Sequence, residues 1–140
     1  MNEADALARR VADAMLSREG AGLALGLVIE AAREGYARVR MSVRADMVNG
    51  HNITHGGMIF SLADSAFAYA CNSRNETTVA QSATITFLAA SKLGDVLVAE
   101  AQELSRAGRS GVYQIRIRTD AGDVVAEFTG LSRTIGGPIL

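Results

Sequence analysis

The stretch from Gly56 to Cys71 reads GGMIFSLADSAFAYAC and carries one charge, Asp64. Met58, Ile59, Phe60, Leu62, Ala63, Ala66, Phe67, Tyr69 and Cys71 cover most faces of any helix drawn through it. A helix apolar on nearly all sides is a buried one, so the rest of the chain must be built around it. A carboxylate inside such a helix is costly unless it is paired or protonated. Burial raises its pKa, and lone perturbed carboxylates are enriched at active sites. Asp64 is therefore either a structural acid, capping a loop or pairing with an arginine, or a catalytic one.

The 140 residues suffice for a single domain, 1–140, with one core. Fourteen basic and fifteen acidic residues nearly cancel, which argues against nucleic acid as a partner. Hydrophobic residues make up 49% of the chain, high for a small monomer, and that fits burial of surface between subunits. The one cysteine, Cys71, excludes an intrachain disulfide and fits a reducing compartment. Its place on the apolar helix reads as core rather than nucleophile. Acids at Glu3 and Asp5 argue against a signal peptide, and no uncharged apolar stretch reaches membrane-spanning length. These features predict a cytoplasmic protein with no membrane partner.

Residues 3–19 predict a helix: Leu7, Val11 and Met15 share a face, acids occupy the first turn, Arg18 the last, and Gly20 follows as a stop. Residues 23–30 read as extended. At 36–43 the alternation is strict, with Ala37, Val39, Met41 and Val43 on one face and Tyr36, Arg38, Arg40 and Ser42 on the other. Asn49-Gly50 and Gly56-Gly57 mark a loop leading into the apolar helix at about 57–72. Strands are predicted at 78–89, 95–105, 111–119 and 123–133, the last two joined by a hairpin turn at Asp120–Asp123. Short links between the later strands imply an antiparallel sheet. The predicted class is α+β: a long antiparallel sheet of about six strands wrapped around a central helix, with an N-terminal helix. That is the hotdog fold, and wrapping is the simplest way to hide every side of the helix.

The segment Val48–Ala66, VNGHNITHGGMIFSLADSA, resembles the signature of hotdog acyl-CoA thioesterases. There a loop asparagine, a His-Gly-Gly turn and a helical acid nine residues after the histidine recur. The continuation AFAYACNS, Gly111-Val112-Tyr113 and the tail Ser132–Gly137 are similar to the PaaI subgroup of bacterial phenylacetate degradation. The resemblance spans about residues 20–137. It implies hydrolysis of phenylacetyl-CoA, or ring-hydroxylated relatives, to free acid and CoA, with no cofactor. It also implies roles: Asp64 as general base or nucleophile, the Gly56 backbone N–H as carbonyl-polarising donor, Asn49 orienting water or thioester, and His55 beside the donor. Many such proteins carry a Ser or Thr on the facing strand. Counting back from Phe87, that position falls on Ala80, with Thr78 and Ser82 two residues away on either side.

Helix chemistry supports the same reading. Amides at the start of a helix lack intrahelical partners and sit at the positive end of its dipole, so Gly56 and Gly57 suit an oxyanion, or else merely make a tight turn. Gly56 and Asp64 are eight residues apart, about 12 Å along one helix, too far to serve one carbonyl. Donor and acid are thus expected from different chains, through two antiparallel central helices across a twofold axis. The resemblance extends this dimer to a homotetramer. Gly57, Ser82, Arg106 and Arg109 are candidates for substrate contact, the arginines because guanidinium suits phosphate. With two His and one Cys, no metal site is expected. Two alternatives stand beside this: a broader aryl- or fatty-acyl-CoA hydrolase, and a non-catalytic acyl-CoA-binding module, since fold does not determine function.

Overall fold

A computed structural model describes all 140 residues. Helix α1 (Glu3–Arg18) is followed by α2 (Gly20–Ala24), β1 (Val28–Arg33), β2 (Tyr36–Ser42) and a single 3-10 turn at Ala45–Met47. Then come α3 (Gly56–Cys71), β3 (Thr78–Phe87), β4 (Val96–Ala107), β5 (Ser110–Thr119) and β6 (Val124–Thr134). The strands form one antiparallel sheet in the order β1-β2-β4-β5-β6-β3. This is the hotdog arrangement that the sequence predicts.

Helix α1 begins where Asn2 accepts the Asp5 N–H at 2.8 Å, and it buries Ala8, Val11 and Ala12. Residues 23–30 depart from the expectation. Gly20–Ala24 is a helical turn, and the first strand starts only at Val28. The cause is a glycine stop: Gly26 adopts φ +68, and Leu27 and Gly26 donate to the Gly22 and Leu23 carbonyls, closing the turn.

The sheet turns Ala37, Val39, Met41, Leu97, Ala99, Ala101, Ile115, Ile117, Ala126 and Phe128 toward α3. They meet Ile59, Leu62, Ala63, Ala66, Phe67 and Ala70 in one core cluster. Each large side chain buried there contributes about 2 kcal/mol. Close approach on β6 depends on Gly130, where an added Cβ would lie 2.7 Å from the Phe67 ring.

The sheet does not hide α3 on every side. Gly57 is exposed, and Ser61, Asp64, Ser65 and Ala68 are half-buried along one open stripe. Beside this stripe runs β3, the free edge of the sheet. Its sequence, TVAQSATITF, has no charge, and nearly all of it is exposed.

Candidate active site

The N-terminal end of α3 is held by a pinned loop. The Thr54 N–H donates to the Ser91 carbonyl and the His55 N–H to the Met47 carbonyl, both at 2.7 Å. Asn49 closes the turn: its Oδ1 accepts the His51 N–H at 2.9 Å, while its own N–H donates to the Ile53 carbonyl. Asn49 thus has a structural duty, and it also lines a groove of about 390 Å³ with Gly56, Ile59, Phe87 and Ser91.

His55 is the N-cap of α3, and its Nδ1 accepts the Gly57 N–H at 2.9 Å. An accepting Nδ1 carries no proton, so the proton of the neutral ring sits on Nε2. The two glycines therefore differ. Gly57 N–H is claimed by His55, whereas Gly56 N–H finds no acceptor in the chain. A Cβ at Gly56 would lie 3.0 Å from the ring of the exposed Phe87, which would have to give way by a few tenths of an ångström.

Asp64 lies two turns along α3 on the open stripe, with no hydrogen-bond or ion-pair partner. Burial first, and the nearby negative charge of Glu19 second, hold its carboxyl above the usual range. Glu19, at the junction of α1 and α2, accepts a hydrogen bond from the Tyr69 hydroxyl. Nothing local in the sequence marks Glu19, since it reaches Asp64 only through tertiary packing.

The register of β3 separates Ala80 from Ser82. Ala80 pairs with Ser132, which is buried, but a bulge at Gln81 then pairs Ser82 with the exposed Leu131. Ser82 is turned to the outer face of the sheet, so it does not share a face with Ala80 as period-two counting predicts. Thr78 does face inward, 3.1 Å from the Thr134 hydroxyl, and Ser132 is an inward hydroxyl that strand counting missed.

Arg106 and Arg109 sit at the β4–β5 turn, beside Cys71 and so at the far end of α3 from Gly56. Arg106 lies 3.6 Å from Glu103, whose carboxylate is already gripped by Arg74 at 2.9 and 3.1 Å. Arg109 makes no ion pair. Phe67 and Tyr69 are buried in the core. Cys71 is buried, and burial pushes its thiol up to about 12, so it is not a nucleophile at neutral pH. No three His, Cys, Asp or Glu side chains cluster as a metal site, and no helix is long and apolar enough to cross a membrane.

The hotdog scaffold thus carries an amide left open at the start of its central helix and an unpaired acid on the same helix. Residues 51–126 match the thioesterase superfamily, and the chain belongs to that family. It is 47% identical over 128 residues to the acyl-coenzyme A thioesterase PaaI of Escherichia coli, covering 91% of each chain. The solved structure of E. coli PaaI, from the phenylacetic acid degradation operon, superposes with a TM-score of 0.94 at 45% identity. That match covers 96% of this chain and 97% of the other. The phenylacetic acid degradation protein PaaI of Thermus thermophilus gives 0.78 at 35%, over 81% and 97%. A hypothetical thioesterase protein of Streptococcus pneumoniae solved with coenzyme A gives 0.77 at 26%, over 80% and 88%.

Proposed function

We propose that this enzyme hydrolyses phenylacetyl-CoA, or a ring-hydroxylated relative, at a site shared by two subunits. The observation that carries the reading is the pairing on α3 of an unclaimed amide, Gly56, with an unpaired acid, Asp64. One helix holds them about 12 Å apart, so a single chain does not serve one thioester with both. Two copies of α3 lying antiparallel, open stripe to open stripe, bring each Gly56 beside the partner's Asp64. The uncharged free edge of β3 supports this, because a long bare edge invites pairing with a second strand. In the same arrangement the partner's Arg106 and Arg109 come to the Gly56 end, where they suit the CoA phosphates. Pairing of dimers into a tetramer follows the family resemblance.

The chemistry is brief. The thioester carbonyl oxygen accepts the Gly56 N–H, at the positive end of the α3 dipole. Asp64 either takes a proton from an attacking water or attacks the carbonyl itself, forming an anhydride that water then opens. The C–S bond breaks from the tetrahedral intermediate, and CoA leaves as a thiolate that is then protonated. Asn49 lines the groove beside Gly56 and orients water or thioester, and His55 fixes the donor loop through Gly57. The S. pneumoniae thioesterase was also solved with an aspartate or a threonine replaced by alanine, sixteen positions apart. Sixteen positions beyond Asp64 lies Ala80, so this chain has the acid of that pair without the hydroxyl. The lone buried thiol and a CoA-linked substrate fit a cytoplasmic enzyme.

A broader acyl range is the second reading. It is favoured by Phe67 and Tyr69 being core, which leaves the open groove at Gly56 without a closed aromatic slot. Thiol release from phenylacetyl-, benzoyl- and medium-chain acyl-CoA separates the two. The shared mechanism predicts that Asp64→Asn lowers turnover by about a hundredfold or more on every ester. Activity within a few-fold of wild type in a folded Asp64→Asn oligomer overturns it.

A further inference from the structure

The groove beside Gly56 has one aromatic side chain in its lining, Phe87, the last residue of β3. Phe87 pairs with Ala126, a core residue, so it lies on the sheet face that α3 packs against. Its ring is still 51% exposed. It stands at the first residue of α3, where Gly56 has no Cβ to cover it. The ring meets that glycine by its edge: Cζ would lie 3.0 Å, and the two Cε atoms 3.4 and 3.5 Å, from a Cβ built there. The chain on either side of the groove is anchored. The Leu88 and Ala89 N–H groups both donate to the Val125 carbonyl, at 2.8 and 3.2 Å, and Ser91 Oγ donates to Thr54 Oγ1 at 2.7 Å. Between these anchors the small side chains of Ala89 and Ala90 keep the groove wide.

We propose that this groove receives the acyl group of the thioester, and that Phe87 is the side chain that selects an aryl group there. This role rests on the thioesterase reading above and belongs to that same site. A thioester whose carbonyl oxygen accepts the Gly56 N–H has its acyl carbon within reach of the ring that touches Gly56. Aromatic rings pair at about 4.5–7 Å between centroids, offset or edge to face, and gain from it beyond the burial of apolar area. A phenyl group one methylene from the carbonyl falls inside that range. A straight alkyl chain buries area in the groove but makes no ring pair.

The lining favours the acyl group over the pantetheine arm of CoA as occupant. Pantetheine carries two amides, each with an N–H and a C=O that need partners when buried. The polar side chains of the groove are largely engaged already. The Thr54 and Ser91 hydroxyls bond each other, and Asn49 Oδ1 accepts the His51 N–H. Other rings near α3 are spent on one another. Phe128 packs against Phe60 and Phe67, with centroids 5.2 and 5.9 Å apart. Phe87 is the ring left open beside Gly56.

The test is kcat/KM of the intact enzyme on phenylacetyl-CoA and on octanoyl-CoA, taken as a ratio. Wild type is compared with Phe87→Ala and with Phe87→Leu, which keeps apolar bulk at a half-exposed position and so preserves the fold. The ratio should fall about fivefold to tenfold in both variants, and Phe87→Tyr should hold it within about twofold of wild type. An unchanged ratio overturns the proposal. Equal slowing of both esters would assign the groove to the pantetheine arm they share. Loss of the oligomer together with both activities would assign Phe87 to a subunit interface. Either of these results overturns it as well. Asp64→Asn keeps the two claims separate. If it is inactive while the ratio of the Phe87 variants is unmoved, only the role of Phe87 fails. If it is active, the catalytic reading itself fails.

Discussion

The two ends of α3 are built to opposite rules. At the C-terminal end a network of polar side chains is satisfied within the fold. Asn72 Oδ1 accepts the Thr78 N–H at 2.8 Å while its Nδ2 donates to the Thr78 carbonyl, and Ser73 Oγ accepts the Gly35 N–H. Arg74, Glu103 and Tyr113 close on one another. Toward the N-terminal half, the Gly56 amide and the Asp64 carboxylate stand without partners on an open stripe. Polar groups that only hold a fold together are satisfied within it. Groups left open at some cost in stability are those reserved for a ligand or a second subunit.

The sharpest break between the two ends is expected in stability, with opposite signs. Asp64→Asn, expected to lower turnover by about a hundredfold or more, should raise Tm near neutral pH. The folded carboxyl is raised above its unfolded value, so wild type loses stability as pH rises from the ordinary carboxylate range through the folded pKa. The gap between variant and wild type should close below about pH 4. Thermal melts across pH check this, and a Tm lowered at pH 7 contradicts it.

Glu103→Gln is the counterpart, and it should destabilise by about 2 kcal/mol, the scale of hydrogen bonds to charged groups. Burial works to raise the Glu103 carboxyl, but hydrogen bonds from Arg74 and Tyr113 outweigh it and hold the group low. Its contribution is therefore present above the unfolded carboxylate pKa and is lost as pH falls through the depressed one. Urea unfolding at pH 7 and at pH 3 should show a large difference between variant and wild type at the first and a small one at the second.

The smallest effect belongs to the cap. His55→Ala removes the acceptor of the Gly57 N–H and should cost about 1 kcal/mol, or about 3 °C in Tm. It also opens a second amide beside Gly56. Activity should survive better than in Asp64→Asn, and equal loss in both would make His55 a proton-transfer residue.

Much of this contrast was legible beforehand. The apolar run with one acid marked α3, and strict alternation at 36–43 marked β2 with its buried Ala37, Val39 and Met41. The unmarked parts depended on tertiary contacts or on a single residue. The bulge at Gln81 reverses which face Ser82 presents, and period-two counting does not register an inserted residue. Residues 23–30 read as extended from their start because the helical stop of α2 lies in the φ of Gly26. Glu19 lies 45 positions from Asp64, and only the fold brings their charges together. Which glycine keeps its amide free was set by the rotamer of His55, which composition does not carry.

The sharing of one site by two chains is tested most directly by subunit complementation. Gly56→Pro deletes the amide hydrogen at the first helical position, where proline is tolerated, and His55 at ψ 132 already has the conformation that precedes a proline. Mixed with Asp64→Asn subunits and allowed to exchange, two inactive proteins should give mixed dimers with one intact site each. The account predicts recovery of about a quarter of wild-type activity from an equal mixture. A mixture as inactive as either parent, with exchange demonstrated, would show that donor and acid act within one chain and would contradict it.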